Sequence, residues 1–387
     1  MRVRSRGGSA MGRSIVAVTL TIAGVLVPGA PASATPIWSV LSAPAGAASG
    51  SLADVSCVSP TSCFAVGAQH FSTTQITLVE RWDGTKWSIV SSPNPAGARS
   101  SQLTAVHCVT STTCFAVGQY STWSADTTLV ERWDGTKWSI VSSPNPAGAA
   151  AAGLSDVQCT SATRCVAVGS FFVSSETATI EQTLVELWNG SSWSIVASPN
   201  VSPTFDSSLT GVSCTGSSNC FAVGQYATDL VVQTLIEHWD GRAWSLVASP
   251  NSSVTDSELS AISCPSATSC FAVGFGRRTL VEHWNGLRWS IQAIPTPSGA
   301  SGAGLVSVSC PSLTRCFAVG DSFDMSVVTR LVEAWNGTSW SIVNTPIPAG
   351  ASFSRLSGVS CSTTTSCFAV GEYERGAGVH SLLERYA

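Results

Sequence analysis

Charge is scarce in this chain. Lys, Arg, Asp and Glu make up 11% of the 387 residues, less than half of the roughly 25% usual for soluble proteins. The surface must therefore be solvated by Ser, Thr, Asn and Gly. Lysine is almost missing, with Lys86 and Lys137 the only two. Without a basic stripe the chain is a poor partner for nucleic acid, and none is expected. No stretch carries a helical apolar period, which argues against helical folds. After Val27 no apolar run is long enough to span a bilayer. What is plentiful is apolar residues, 44% of the chain, enough for a sizeable core and too many for global disorder.

The first 34 residues read as a targeting segment. Arg2, Arg4, Arg6 and Arg13 precede an apolar run from Ile15 to Val27, and Ala32-Ser33-Ala34 forms a cleavage signal. This is the pattern of a secretory signal peptide over residues 1–34. The mature chain then begins at residue 35 and is expected to be extracellular, with no membrane span. Its 15 basic and 23 acidic residues give it a net charge of −8.

The rest is one unit repeated seven times. It runs L-x-x-V-S-C-x5-C-F-A-V-G, a variable stretch, then T-L-V-E-R-W-[DN]-G-x-x-W-S-I-V-x-S-P. The first cysteine of each unit recurs at spacings of 51, 51, 55, 50, 46 and 51 residues. Residues 77–98 and 128–149 are identical, the mark of an internal duplication. Each unit holds four strand-like runs, exemplified by Leu52–Cys57, Cys63–Gly67, Leu78–Trp82 and Trp87–Val90, with a tight Asp83-Gly84 turn between the last two. Four strands per unit of about 50 residues predict a blade of a β-propeller. Trp38-Ser39-Val40 is a lone fourth strand, and the last unit stops at Tyr386 after its third. One blade is therefore predicted to be split between residues 35–50 and 356–387. Pairing the halves closes a seven-bladed ring of four-stranded antiparallel blades and removes its open edges.

The 14 cysteines fall in C-x5-C pairs, two per unit. In a secreted chain this predicts seven hairpin disulfides: Cys57–Cys63, Cys108–Cys114, Cys159–Cys165, Cys214–Cys220, Cys264–Cys270, Cys310–Cys316 and Cys361–Cys367. Ladder geometry puts opposed Cα atoms ~4.5–5.5 Å apart. Zinc would need four ligands where each unit offers two, so no metal is expected. No thiol remains as a nucleophile. Thirteen of the 14 tryptophans occupy the two repeat positions around the turn and are expected to pack between blades. A glutamate recurs in every unit, from Glu80 to Glu384; a repeated role argues for structure, with the carboxyls accepting inter-blade hydrogen bonds. His238 and His283 replace Arg81 and are read as packing residues.

The unit resembles a kelch repeat over residues 36–387. Val66-Gly67 stands where kelch has its glycine pair, Trp82 where it has tyrosine, and Trp87 where it has tryptophan. The glycine doublet, the wider aromatic spacing and the absence of a C-x5-C staple in kelch mark the departures. The compact unit is also similar to secreted actinobacterial repeat proteins of unknown function. The resemblance implies a kelch-like propeller, close to the central domain of galactose oxidase, and carries no activity. The copper site of such oxidases needs a cysteine crosslinked to tyrosine, and here every cysteine has a partner; the arginine triad and boxes of sialidases are missing too. No cofactor is expected.

Function is expected on the face carrying the variable stretches, because binding residues concentrate where a rigid scaffold holds variable segments. Candidate ligand-binding residues are His70, Phe71, Tyr120, Trp123, Phe171, Tyr226, Arg277, Arg278, Asp321, Phe323, Tyr373 and Arg375. Aromatics with a few charges suit sugar stacking or peptide contact. The expected function is a monomeric, non-catalytic module binding an extracellular glycan, cell-wall polymer or protein. The alternative is a hydrolase or lyase using Asp321, Glu374 or His70, helped by Arg277 or Arg278, as an acid/base site.

Overall fold

The computed structural model describes residues 36–387 except 48, 73, 175–177, 252–255 and 325–326. The signal peptide assigned to residues 1–34 lies outside the described residues. Twenty-eight strands form seven four-stranded antiparallel blades, with no helix among the described residues. Blade 1 is built from Gly50–Ser59, Ser62–Phe71, Thr74–Trp82 and Trp87–Ile89, running from the inner to the outer strand. Blades 2 to 6 repeat this order along the chain. Blade 7 takes Phe353–Thr363, Ser366–Arg375 and Gly378–Tyr386 from the C-terminal end and Trp38–Val40 from the N-terminal end. Trp38 pairs with Tyr386 and Val40 with Glu384, so the N-terminal strand closes the ring on the C-terminal three as predicted; the two halves of the split blade are Trp38–Val40 and 353–386, and Gly50 belongs to blade 1.

The strands reach further than the sequence pattern indicates. The first two of blade 1 were expected to span Leu52–Cys57 and Cys63–Gly67; each is ten residues long. The second and third strands continue beyond A-V-G as paired ladders, so most of the variable stretches are strand rather than loop. Polar residues there hide the ladder from apolar periodicity, because backbone pairing does not need it.

Each inner strand carries a register shift after its leucine, as between Leu52 and Asp54. The extra residue of the bulge bends the strand around the axis. Just before the bulge, the glycine of A-V-G is required: a Cβ on Gly67 would stand 2.0 Å from the Ser51 carbonyl. The seven disulfides form as predicted, five of them between directly opposed residues of the ladder. Their Cα separations of 3.9–4.1 Å are shorter than ladder geometry alone suggests, because the register slips again immediately beyond most of the pairs.

Three devices join neighbouring blades. The first is aromatic: the phenylalanine of C-F-A-V-G enters the tryptophan pair of the next blade. Phe64 meets Trp133 edge-tilted at 5.1 Å and Trp138 at right angles at 5.3 Å, geometries favoured by ring quadrupoles. Phe368 closes the ring onto Trp82 and Trp87. The second is a hydrogen-bond ring around the axis. The residue before each first cysteine accepts the N–H of the next blade's first cysteine, through Ser56, His107, Gln158, Ser213, Ser263, Ser309 and finally Ser360, which receives Cys57 N–H at 3.0 Å.

The third device holds the glutamates, all of them fully buried. A serine after the outer strand of one blade donates to the glutamate of the next: Ser92 to Glu131, Ser143 to Glu186, Ser198 to Glu237 and Ser249 to Glu282, at 2.9–3.0 Å. That serine also meets a threonine of its own blade, such as Thr77. Burial pushes these carboxyls up, Glu131 and Glu237 to about 8 and Glu186 and Glu282 to about 7. The cause is desolvation: a protonated carboxyl tolerates the apolar interior that a carboxylate does not.

Candidate functional site

A central channel of about 210 Å³ runs between the inner strands of all seven blades. Asp54 and Asp156 project there from the bulges of blades 1 and 3. Burial raises Asp54 to about 6 although it accepts Val106 N–H at 2.9 Å. Burial, with Asp54 nearby, raises Asp156 to about 7. His107 lies on the blade between them, and burial lowers it to about 4.

The channel opens on the variable face through two rings of side chains. One ring precedes the leucine of each inner strand: Ser51, Gln102, Gly153, Ser208, Glu258, Gly304 and Arg355. The other follows the glycine of A-V-G: Ala68, Gln119, Ser170, Gln225, Phe275, Asp321 and Glu372. Side chains in the second ring lean over the first ring of the next blade. Gln119 fills the space above Gly153, and Phe275 the space above Gly304; a Cβ would meet them at 2.5 and 2.0 Å. Small Ala68 leaves this position open. A cavity of about 190 Å³ results at the root of blade 1, lined among others by Ser51, His70, Gln102, Arg355 and Glu372.

The polar groups there are ordered. Arg355 Nε donates to Glu372 at 2.9 Å, with Arg355 half-exposed. His70 is set between Ser51 Oγ and Gln75 Nε2, both at 3.0 Å. On the neighbouring blade Asp321 has one carboxylate oxygen without a partner. Burial raises it to about 6 against the pull of Arg355 and Arg330. One sector of the rim thus collects Asp321, Arg355, Glu372 and His70.

Of the residues singled out from sequence, only His70 and Asp321 belong to this sector. Tyr120, Phe171, Tyr226 and Tyr373 are part-buried and pack against hydrophobic clusters of the blades. Tyr226 donates to Gln233, and Tyr373 stacks on His380 at 5.1 Å beneath Arg375. Arg277 and Arg278 are exposed on the turn of blade 5. Glu374 is exposed, and its carbonyl accepts Ser352 N–H. Phe71 and Phe323 are partly open, and Trp123 is 84% exposed with Arg99 3.8 Å from its ring centre. His238 and His283 pack as tilted rings on Phe221 and Phe271, at 4.6 and 4.5 Å. Gln102, Arg355 and Glu372 escaped the sequence reading. Aligning the seven units at the positions flanking leucine and glycine sets four charged residues, Glu258, Arg355, Asp321 and Glu372, against small or uncharged residues elsewhere.

No family model matches the chain, and no curated protein sequence matches it. Solved structures do. YCF48 bound to a D1 peptide aligns with a TM-score of 0.56 at 11% identity, over 93% of this chain and 99% of that one. A PL25 ulvan lyase bound to a GlcA–Rha3S saccharide gives 0.55 at 8%, over 87% and 94%. The GH74 xyloglucanase of Xanthomonas campestris gives 0.54 at 13%, over 89% of this chain and 53% of that one. The chain is a β-propeller. That grouping is coarser than the kelch class its repeat resembles.

Proposed function

We propose that this propeller is a secreted recognition module that binds an extracellular glycan or protein at the variable-face mouth of its channel. The observation that carries the reading is the cavity at the root of blade 1. There the repeat is broken by Ala68, His70, Arg355 and Glu372, and donors and acceptors converge on a space suited to one sugar unit or one side chain. Such a space lies below the roughly 300 Å³ of small-molecule pockets, so the rest of the ligand would lie across the rim, where Phe71 and Trp123 offer open rings. Propeller neighbours bind both a peptide and a saccharide, which supports either ligand class. The seven disulfides suit an oxidising, extracellular setting, and the N-terminal pattern supports export.

The test is binding of the oxidised protein to a glycan array and to insoluble cell-wall fractions, beside Arg355→Ala and Trp123→Ala. Saturable binding that drops at least tenfold in Arg355→Ala supports the cavity. Binding unchanged in both variants removes it from this mouth. The second reading, a hydrolase or lyase, rests on Asp321, a carboxyl raised to about 6 with an unpartnered oxygen, in the range of a general acid. Release of reducing ends from a bound polysaccharide, abolished by Asp321→Asn, would establish it.

A further inference from the structure

The hydrogen-bond ring around the axis uses only part of what its side chains offer. Each of the seven accepts a cysteine N–H from the next blade. Five of them are serines, and a hydroxyl that accepts still has its own O–H to donate. His107 takes Cys159 N–H on Nδ1 at 3.3 Å. Burial lowers this imidazole to about 4, so at neutral pH it carries a single proton, and that proton sits on Nε2. Gln158 takes Cys214 N–H on Oε1, which leaves its NH2 group over. Among the described residues nothing accepts from the five hydroxyls, from His107 Nε2 or from Gln158 Nε2.

Those donors border open space. Ser56, His107, Gln158, Ser213, Ser263 and Ser360 line the channel, and neither Nε2 atom is sealed from it. A water placed among them accepts only two hydrogen bonds, whereas a spherical anion accepts from every side. No Lys or Arg lines the channel among the described residues. The site therefore lacks the cations that phosphate and sulfate recruit, and its neutral donors suit a single negative charge. The titratable groups facing the channel are His107, Asp54 and Asp156. The two aspartates stand two residues before the ring, on blades 1 and 3, and are already engaged by main chain. Asp54 accepts Val106 N–H at 2.9 Å, and Asp156 accepts Val157 and Val212 N–H at 2.7 and 2.8 Å. Burial raises them to about 6 and about 7, so mild acid removes their charge from the channel.

We propose that this ring binds one monovalent anion of chloride size on the propeller axis, held by serine hydroxyls, His107 Nε2–H and the Gln158 amide. The anion supplies the acceptor that the buried donors lack, and it ties the inner strands together at a single point. The ring lies toward the cysteine hairpins: Ser56 pairs with Phe64 close to the turn between Ser59 and Ser62, while Gly50 and Gln69 pair at the far end of the same ladder, on the variable face. The site is thus separate from the channel mouth and does not depend on the function proposed there.

Two measurements on the intact disulfide-bonded protein test this. Crystals grown from sodium gluconate, whose anion is too bulky for the ring, are soaked in sodium bromide. Anomalous scattering should place a bromide on the axis within hydrogen-bond reach of His107 Nε2 and Gln158 Nε2. In solution, chloride replaces gluconate stepwise at constant ionic strength. The melting temperature should rise saturably, as for a ligand of the folded state alone, and half-saturation should need less chloride at pH 5 than at pH 8. Gln158→Glu keeps an acceptor for Cys214 N–H and puts a carboxylate oxygen where the donors were; at pH 7 its half-saturation should move up at least tenfold. Ser263→Ala removes one O–H at little change of volume and should shift it in the same direction. Were Gln158→Glu not to fold, Ser263→Ala and the bromide map would decide. Bromide absent from the axis, or a chloride response equal in parent and variants, overturns the proposal.

Discussion

Ile294 is the single side chain that breaks the serine–glutamate relay between blades 5 and 6. It stands where Ser249 stands one blade earlier, and its consequence is three orphaned buried atoms: Thr279 Oγ1 and both carboxyl oxygens of Glu333. Burial pushes Glu333 up to about 8. Leaving a buried acceptor unpaired costs about 1–3 kcal/mol. Ile294→Ser rebuilds the local sequence of the other blades. It removes an apolar side chain that packs on its cluster, yet restores the relay, so its effect on melting is expected to be small at pH 5 and stabilising by several degrees at pH 8. Differential scanning calorimetry at both values checks this; a loss of stability at both would show that apolar packing outweighs the missing hydrogen bond.

At the scale of elements, each hairpin of the first two strands carries its own disulfide. In the chain-entropy picture a loop of this size contributes about 2 kcal/mol. Replacing Cys159 and Cys165 together by serine should lower the unfolding free energy by about that amount without disturbing the other six bridges, as urea titration and thiol counting would show. The element pattern was also the most readable part of the sequence. Paired cysteines, the Trp–turn–Trp hairpin and the complementary end fragments depend on local spacing, and spacing survives in one dimension. The channel mouth was less readable. Arg355 and Asp321 meet only because consecutive blades overlap there, and His70, Ser51 and Gln75 align across three strands. The strand extensions that carry them have no apolar alternation to announce them.

The whole molecule depends on the closure of blade 7. Trp38 packs at 5.3 Å on Phe317 of blade 6 and at 5.6 Å on Tyr386 of its own blade. Arg315 and Arg330 of blade 6 bind Tyr386 and Glu384 on the C-terminal strand. Trp38→Ala should cost about 3–5 kcal/mol, measured by equilibrium unfolding; a cost under about 1 kcal/mol would mean the ring closes without this contact. The pH dependence is also global. Six of the seven glutamates are raised from 4.5 to about 7 or 8, and Glu384 is raised as well. Between pH 4.5 and 8 the folded state therefore holds more protons than the unfolded one, and stability falls as pH rises through that window. His107, lowered to about 4, acts oppositely and only below 6.5. The melting temperature should peak near pH 5 and decline toward pH 8; a flat profile would show the carboxyls ionise without penalty.

The overlap at the channel mouth has a further meaning. Gly153 is shaped to Gln119 of the blade before it, and Gly304 to Phe275. At these two junctions a blade thus recognises its predecessor, although the units look interchangeable in sequence. Joining the present ends and opening the chain between two other blades should leave every neighbour in place and still give a folded ring. Exchanging blades 2 and 5 would set Phe275 against Gly153 and Gln119 against Gly304, and would put new flanks beside Ala68 and Gln225. Near-identical repeats are in this way given addresses, and their order around the axis is written in the few positions where they differ.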